Sequence, residues 1–134
     1  MTVFGLDTNV VLRLFLDDDP SQRAAALKFG EGLGRGYSAF ITLIGLLELD
    51  WALRSQYGFS RKHVTLAIDR LLHTRGLMVE NHTLVVKALR LVEANNADFA
   101  DAVIACRSLE EGCESTKTFD QKAARKVPGM ELLA

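Results

Sequence analysis

Short apolar runs alternate with longer amphipathic stretches along this chain, and that alternation predicts its elements. Residues 3–6 are apolar and stop at Asp7-Thr8-Asn9, which predicts a short buried strand followed by a short helix over 10–16. Asp17-Asp18-Asp19-Pro20 breaks the pattern, and a helix over 21–30 starts from that acidic, proline-containing cap. Residues 38–41 read as a second strand. Thr42 can cap a helix over 43–56, with Leu43, Leu46, Leu47 and Leu53 on a broad apolar face. Ser60 caps a helix over 61–74, with Val64, Ile68, Leu71 and Leu72 inward. A strand over 77–79, helices over 83–94 and 99–109, and short strands over 114–118 and 130–133 complete the chain. Strands separated by helices of this length predict an α/β fold with a mostly parallel sheet.

Composition narrows the class. The chain has 134 residues, the length of one ordinary domain, and 49% of them are hydrophobic, enough for one core. It carries 16 basic and 17 acidic residues, so overall charge does not attract polyanions. Any nucleic-acid role must rest on a local basic face or a bound cation. No apolar run reaches membrane-spanning length, and the first residues lack a signal-peptide pattern, so a soluble cytoplasmic protein is expected. Cys106 and Cys113 do not form a CxxC motif and have no histidine pair beside them, so they read as free thiols and exclude a zinc site. The segment Gly30–Gly36 lacks the Gly-Lys-Ser/Thr of a phosphate loop.

The chemistry lies in the acids. Asp7 follows the first strand at its C-terminal end, the edge where open parallel sheets bind ligands. Asp120 follows the fourth strand. Glu48 interrupts an apolar helical run, where an unpaired buried carboxylate is costly. Asp98 and Asp101 share one side of a helix start. Taken singly, Asp98 is an N-cap, Asp101 a first-turn acid, and Asp7 and Asp120 turn residues. Taken together, they form an all-oxygen donor set of the kind that suits Mg²⁺ or Mn²⁺ and phosphodiester hydrolysis.

These residues carry a resemblance. Asp7-Thr8-Asn9, Glu48 in Leu-Leu-Glu-Leu-Asp-Trp, Ala97-Asp98-Phe99-Ala100-Asp101-Ala102 and Thr118-Phe119-Asp120 resemble the PIN domain, and more narrowly the VapC-type toxins of bacterial type II toxin–antitoxin pairs. The likeness runs nearly end to end and implies a single PIN-like domain over 1–134 with a metal-dependent ribonuclease activity. By that resemblance Asp7, Glu48 and Asp101 match the core acids, Asp120 the fourth, and Asp98 adds to the acidic pocket. Thr8 and Asn9 belong to the first motif, Asn9 helping to fix the first acid, and Thr118 hydrogen-bonds within the pocket. Glu48 either binds a second cation or orients the attacking water. A cognate antitoxin and a homodimer also come from the family.

Candidate RNA contacts are Lys117, Lys122 and Arg125, with Lys126 beside them and Arg54, Arg61 and Lys62 at another helix junction. The aromatic residues lie mostly in apolar runs and read as core. Leu12, Phe15 and Leu16, or Leu46, Leu49 and Trp51, would serve as a dimer or antitoxin face if exposed. His63, His73 and His82 lie away from every acidic motif, which argues against a histidine-pair ribonuclease. A phosphoacceptor domain wants an aspartate after the third strand, where Glu80-Asn81-His82 stands. An aspartyl phosphatase wants one at Asn9. A non-catalytic PIN-like binding module is the alternative, and it predicts gaps among the acids.

Overall fold

The computed structural model describes residues 1–134. They form two compact units, Met1–Glu80 and Asn81–Ala134.

In the first unit, β1 (Thr2–Gly5), β2 (Tyr37–Ile41) and β3 (Leu77–Val79) make a parallel sheet in the order β1-β2-β3. The crossovers are α1 (Thr8–Phe15) with α2 (Pro20–Glu31), then α3 (Leu43–Ser55) with α4 (Arg61–Leu72). The register sets Ala39 opposite Leu77 and Ile41 opposite Val79. These four residues share one face of the sheet and are buried there, as the two-residue period of a strand requires. Helix α1 packs on α2 and α3, and α3 packs on α4. The core is Val11, Leu12, Leu46, Leu49, Leu53, Val64 and Ile68.

The first strand is not buried, although its apolar run predicts that it should be. It is an edge strand, paired only to β2, and its four residues are exposed. An aromatic cluster of Phe4, Phe29 and Tyr37 flanks it, with Phe29 and Tyr37 stacked at 4.8 Å between centroids. The Tyr37 hydroxyl donates to the Phe29 carbonyl. Arg23 ties off α1 by donating to the carbonyls of Arg13 and Leu16 at 3.1 and 3.2 Å. Gly76 sits at φ +78°, and a Cβ there would collide with the Gly34 backbone, so only glycine fits the turn into β3.

Helix α3 sets the electrostatics of this core. Its inward side is Gly45, Leu46, Leu49, Asp50, Ala52 and Leu53, so the carboxylate it buries is Asp50, at 2% exposure. Arg54, one turn on, donates to both carboxylate oxygens at 3.0 Å through Nε and Nη2. Glu48, the acid that the apolar run marks as buried, is exposed. The correction follows from helix geometry, since two residues apart on a helix is about 200° around its axis.

The second unit contains α5 (His82–Asn95), α6 (Phe99–Glu110), β4 (Thr116–Thr118), α7 (Gln121–Lys126) and β5 (Met130–Leu132). β4 and β5 pair in parallel. Ala97, Ala105, Ala123, Val127 and Met130 form a small core with Leu91 against it. Helix α7 has no counterpart among the elements the sequence predicts. It is a short, charged segment without a clear apolar period, fixed by the cap at Asp120. Asn81 and Asn96 bracket α5 in the left-handed region, at φ 51° and 53°, where asparagine is among the few tolerated residues. No helix is long and apolar enough to cross a membrane.

Two outcomes follow. Arg54→Met removes the two hydrogen bonds that Arg54 gives the buried Asp50 carboxylate and should cost about 2 kcal/mol in urea denaturation, whereas Asp50→Leu with Arg54→Met recovers much of it. Burial raises the pKa of the half-buried Cys106 thiol, with Lys87 opposing and Glu110 adding to the shift. The exposed Cys113 should therefore react first with iodoacetamide at neutral pH, as mass spectrometry of the peptides will read.

Candidate functional site

The candidate acids are held by helix starts. In the first unit Asp7 ends the turn after β1 and caps α1, its Oδ1 accepting from the Thr8 amide at 2.8 Å. Thr42, after β2, caps α3 by accepting from the Gly45 amide at 2.9 Å. Gly45 is buried, and a Cβ on it would lie 3.1 Å from the Thr42 hydroxyl and 3.8 Å from that of Thr8. Its lack of a side chain lets the first turn of α3 come close to the start of α1. Glu48 stands one turn further along α3, exposed. Glu80, just past β3, accepts from the Leu43 amide at 3.0 Å and is, with Asp7, a second carboxylate placed directly after a strand of this sheet. In the sequence Glu80 counts only against a phosphoacceptor site; its place directly after a strand end is the signal that could have found it. Asn9 lines an apolar cavity of about 520 Å³ with Phe4, Leu6, Val10 and Phe29.

In the second unit Asp98 caps α6, its Oδ2 accepting from the Asp101 amide at 3.1 Å. Both acids are half-buried. Asp120 caps α7, its Oδ1 accepting from the amides of Lys122 and Ala123 at 2.9 and 3.1 Å. The Thr118 hydroxyl accepts from the Asp120 amide at 3.0 Å, so it braces the turn that presents this acid. Within neither unit do three His, Cys, Asp or Glu side chains converge into a metal-holding group. The donor set itself is of the right chemistry for a hard divalent cation: carboxylate oxygens throughout, with no thiolate or imidazole among them.

The basic candidates divide. Lys117 is ion-paired to Glu131 across β4 and β5, while Lys122 and Arg125 are exposed on α7. Arg54 is committed to Asp50. His63 packs edge-on to Phe59, and His73 closes α4 with its Nδ1 3.6 Å from the Asp69 carboxylate, which is not one of the candidate acids.

Two features escape a reading of the sequence. The aromatics are not all core, since Trp51 is 60% exposed and Phe119 is 74% exposed. Spacing carries the signal for Trp51, because it lies three residues after the exposed Glu48 on the same helix face. Leu12, Leu46 and Leu49 are core and offer no partner face, in contrast to Trp51.

Comparison with solved structures finds a toxin–antitoxin complex from Klebsiella pneumoniae, at 17% identity over 98% of this chain and 96% of that one, with a TM-score of 0.34. VapBC2 from Rickettsia felis, bound to a DNA fragment from its promoter, gives 16% identity, 98% and 97% coverage and a TM-score of 0.38. Both superpositions are loose. No curated protein matches the chain. The PIN domain family model matches residues 5–129, which span all the candidate acids, and on that match the chain belongs to the PIN domain family.

Proposed function

We propose that this PIN domain is a Mg²⁺- or Mn²⁺-dependent endoribonuclease, and the toxin of a toxin–antitoxin pair. One observation carries the reading: Asp7, Glu48, Asp98, Asp101 and Asp120 all lie within residues 5–129 that match the PIN domain family, three of them fixed as helix caps. By the motifs they match, Asp7 in the first unit and Asp101 and Asp120 in the second are each candidate cation ligands, with Asp98 adding negative charge beside Asp101. When bound, such a cation supplies positive charge to a scissile phosphodiester and makes water a nucleophile at neutral pH.

The chain's own residues supply position. At Asp7 and Asp120 one carboxylate oxygen is used on backbone amides, which restrains the rotamer that would meet a ligand. Glu48, exposed on α3, takes one of two parts: holding a second cation or orienting the attacking water. Thr118 braces Asp120, and Lys122 and Arg125 meet the RNA backbone from α7. Lys117 joins them only by leaving Glu131. An antitoxin that blocks the site and a homodimeric active unit belong to the same proposal, on the strength of the sequence motifs.

Cleavage of a labelled single-stranded RNA pool tests the reading. Cutting should require Mg²⁺ or Mn²⁺, stop in EDTA and return when Mn²⁺ is added back. Asp7→Asn and Asp101→Asn should each lower kcat by roughly a hundredfold or more, the scale of losing one preorganised electrostatic interaction. Asparagine caps helices as well as aspartate, so Asp7→Asn should leave the melting temperature nearly unchanged. No cutting and no calorimetric Mn²⁺ signal would leave the non-catalytic module. In a salt titration, Lys122→Ala with Arg125→Ala should flatten the slope of log affinity against log salt by roughly 0.7 for each phosphate that is no longer neutralised.

A further inference from the structure

The parallel strands of the first unit end at one edge of their sheet, and hydrogen bonds join the segments that follow β2 and β3 there. After β2 comes Thr42, the cap of α3. After β3 comes Glu80, whose amide donates to the Ile41 carbonyl at 2.9 Å. Its carboxylate accepts from the Leu43 amide at 3.0 Å, across 37 positions of sequence. Helix α3 thus has its own cap and a second acceptor from the end of a distant strand.

The demand is physical. The first amides of a helix have no carbonyl four residues back, so each needs an acceptor from outside. Thr42 serves Gly45 and Glu80 serves Leu43, so the first turn of α3 is anchored on two strand ends. Glu48 hangs on that turn. In this helix its amide donates to the Ile44 carbonyl, and the Leu47 amide donates to that of Leu43. Gly45 belongs to the same turn, where a Cβ would stand 3.8 Å from the Thr8 hydroxyl, so the turn also lies close to the start of α1. Glu80 is exposed, and its bond to Leu43 holds the turn without filling space in the core.

We infer that Glu80 is a positioning residue: through the Leu43 amide it holds the first turn of α3, and with it the backbone that carries Glu48. The inference rests on the nuclease reading of Glu48 and adds an acid that acts on Glu48 through the helix, without meeting cation or RNA. Without that bond the turn frays, and the Glu48 carboxylate is less often where a cation or water would meet it. A misplacement of about 1 Å at a reacting group costs roughly a hundredfold in rate.

Two variants of the full chain test this. Glu80→Ala removes the acceptor, while Glu80→Gln keeps an acceptor oxygen and removes the charge. Amide hydrogen exchange read by NMR should be roughly 2- to 10-fold faster from Leu43 to Glu48 in Glu80→Ala, the scale of one hydrogen bond. In RNA cleavage with Mg²⁺, well below the melting temperature, the same variant should lower kcat by roughly tenfold or more, with KM nearly unchanged. Glu80→Gln should restore both. Unchanged exchange in Glu80→Ala overturns the inference. So does a lower melting temperature with kcat intact, which makes Glu80 an ordinary structural contact. A Glu80→Gln chain as slow as Glu80→Ala, with a weakened calorimetric Mn²⁺ signal, also overturns it and assigns Glu80 to the cation. If the unaltered chain cuts no RNA, the nuclease reading falls, while exchange from Leu43 to Glu48 still decides whether Glu80 holds α3. The two therefore fail separately.

Discussion

A helix start leaves backbone amides without partners, and this chain meets that demand with the side chains its chemistry would use. Six of its seven helices begin on a side-chain acceptor: Asp7, Asp19, Thr42, Ser60, Asp98 and Asp120. At Asp7, Asp98 and Asp120 the cap restrains a carboxylate that sits in a candidate motif. Fold and site therefore share the same hydrogen bonds. A carboxylate held in one rotamer by the backbone loses little further freedom on meeting a cation.

The buried face of α3 places the remaining candidate acid. Leu46, Leu49, Ala52 and Leu53 face inward with Asp50, and that leaves Glu48 and Trp51 outward. A charge buried with a bidentate partner adds little net stability over an apolar pair. Being one turn apart on the same helix, the two groups stay together however α3 packs, and the pair offsets the burial of the Asp50 charge. The exposed stripe is thus a consequence of the buried one.

Legibility in the sequence is uneven, for reasons that particular residues make plain. Every long helix and the parallel strands are readable within a residue or two, because caps and apolar periodicity act over a few positions. The cap at Asp98 and the spacing to Asp101 are readable for the same reason. Helix α7 is not, since Gln121–Lys126 is too short and too charged to show a period. The exposure of β1 is not readable either, because an apolar run says nothing about whether a strand has neighbours on both sides. The leucines around Glu48 fit more than one helical face, and so they point to the wrong acid as the buried one.

The sequence by itself determined the order of the strands and of every helix but α7, the caps at Thr42, Ser60 and Asp98, and the succession of acids that marks a PIN domain. These are local properties, decided by residues three or four apart. Only the tertiary structure decided which of Glu48 and Asp50 is buried, that Trp51 and Phe119 stand in solvent, and that Lys117 is engaged by Glu131. Those outcomes depend on what packs against each face, and a face is completed by residues far away in the chain.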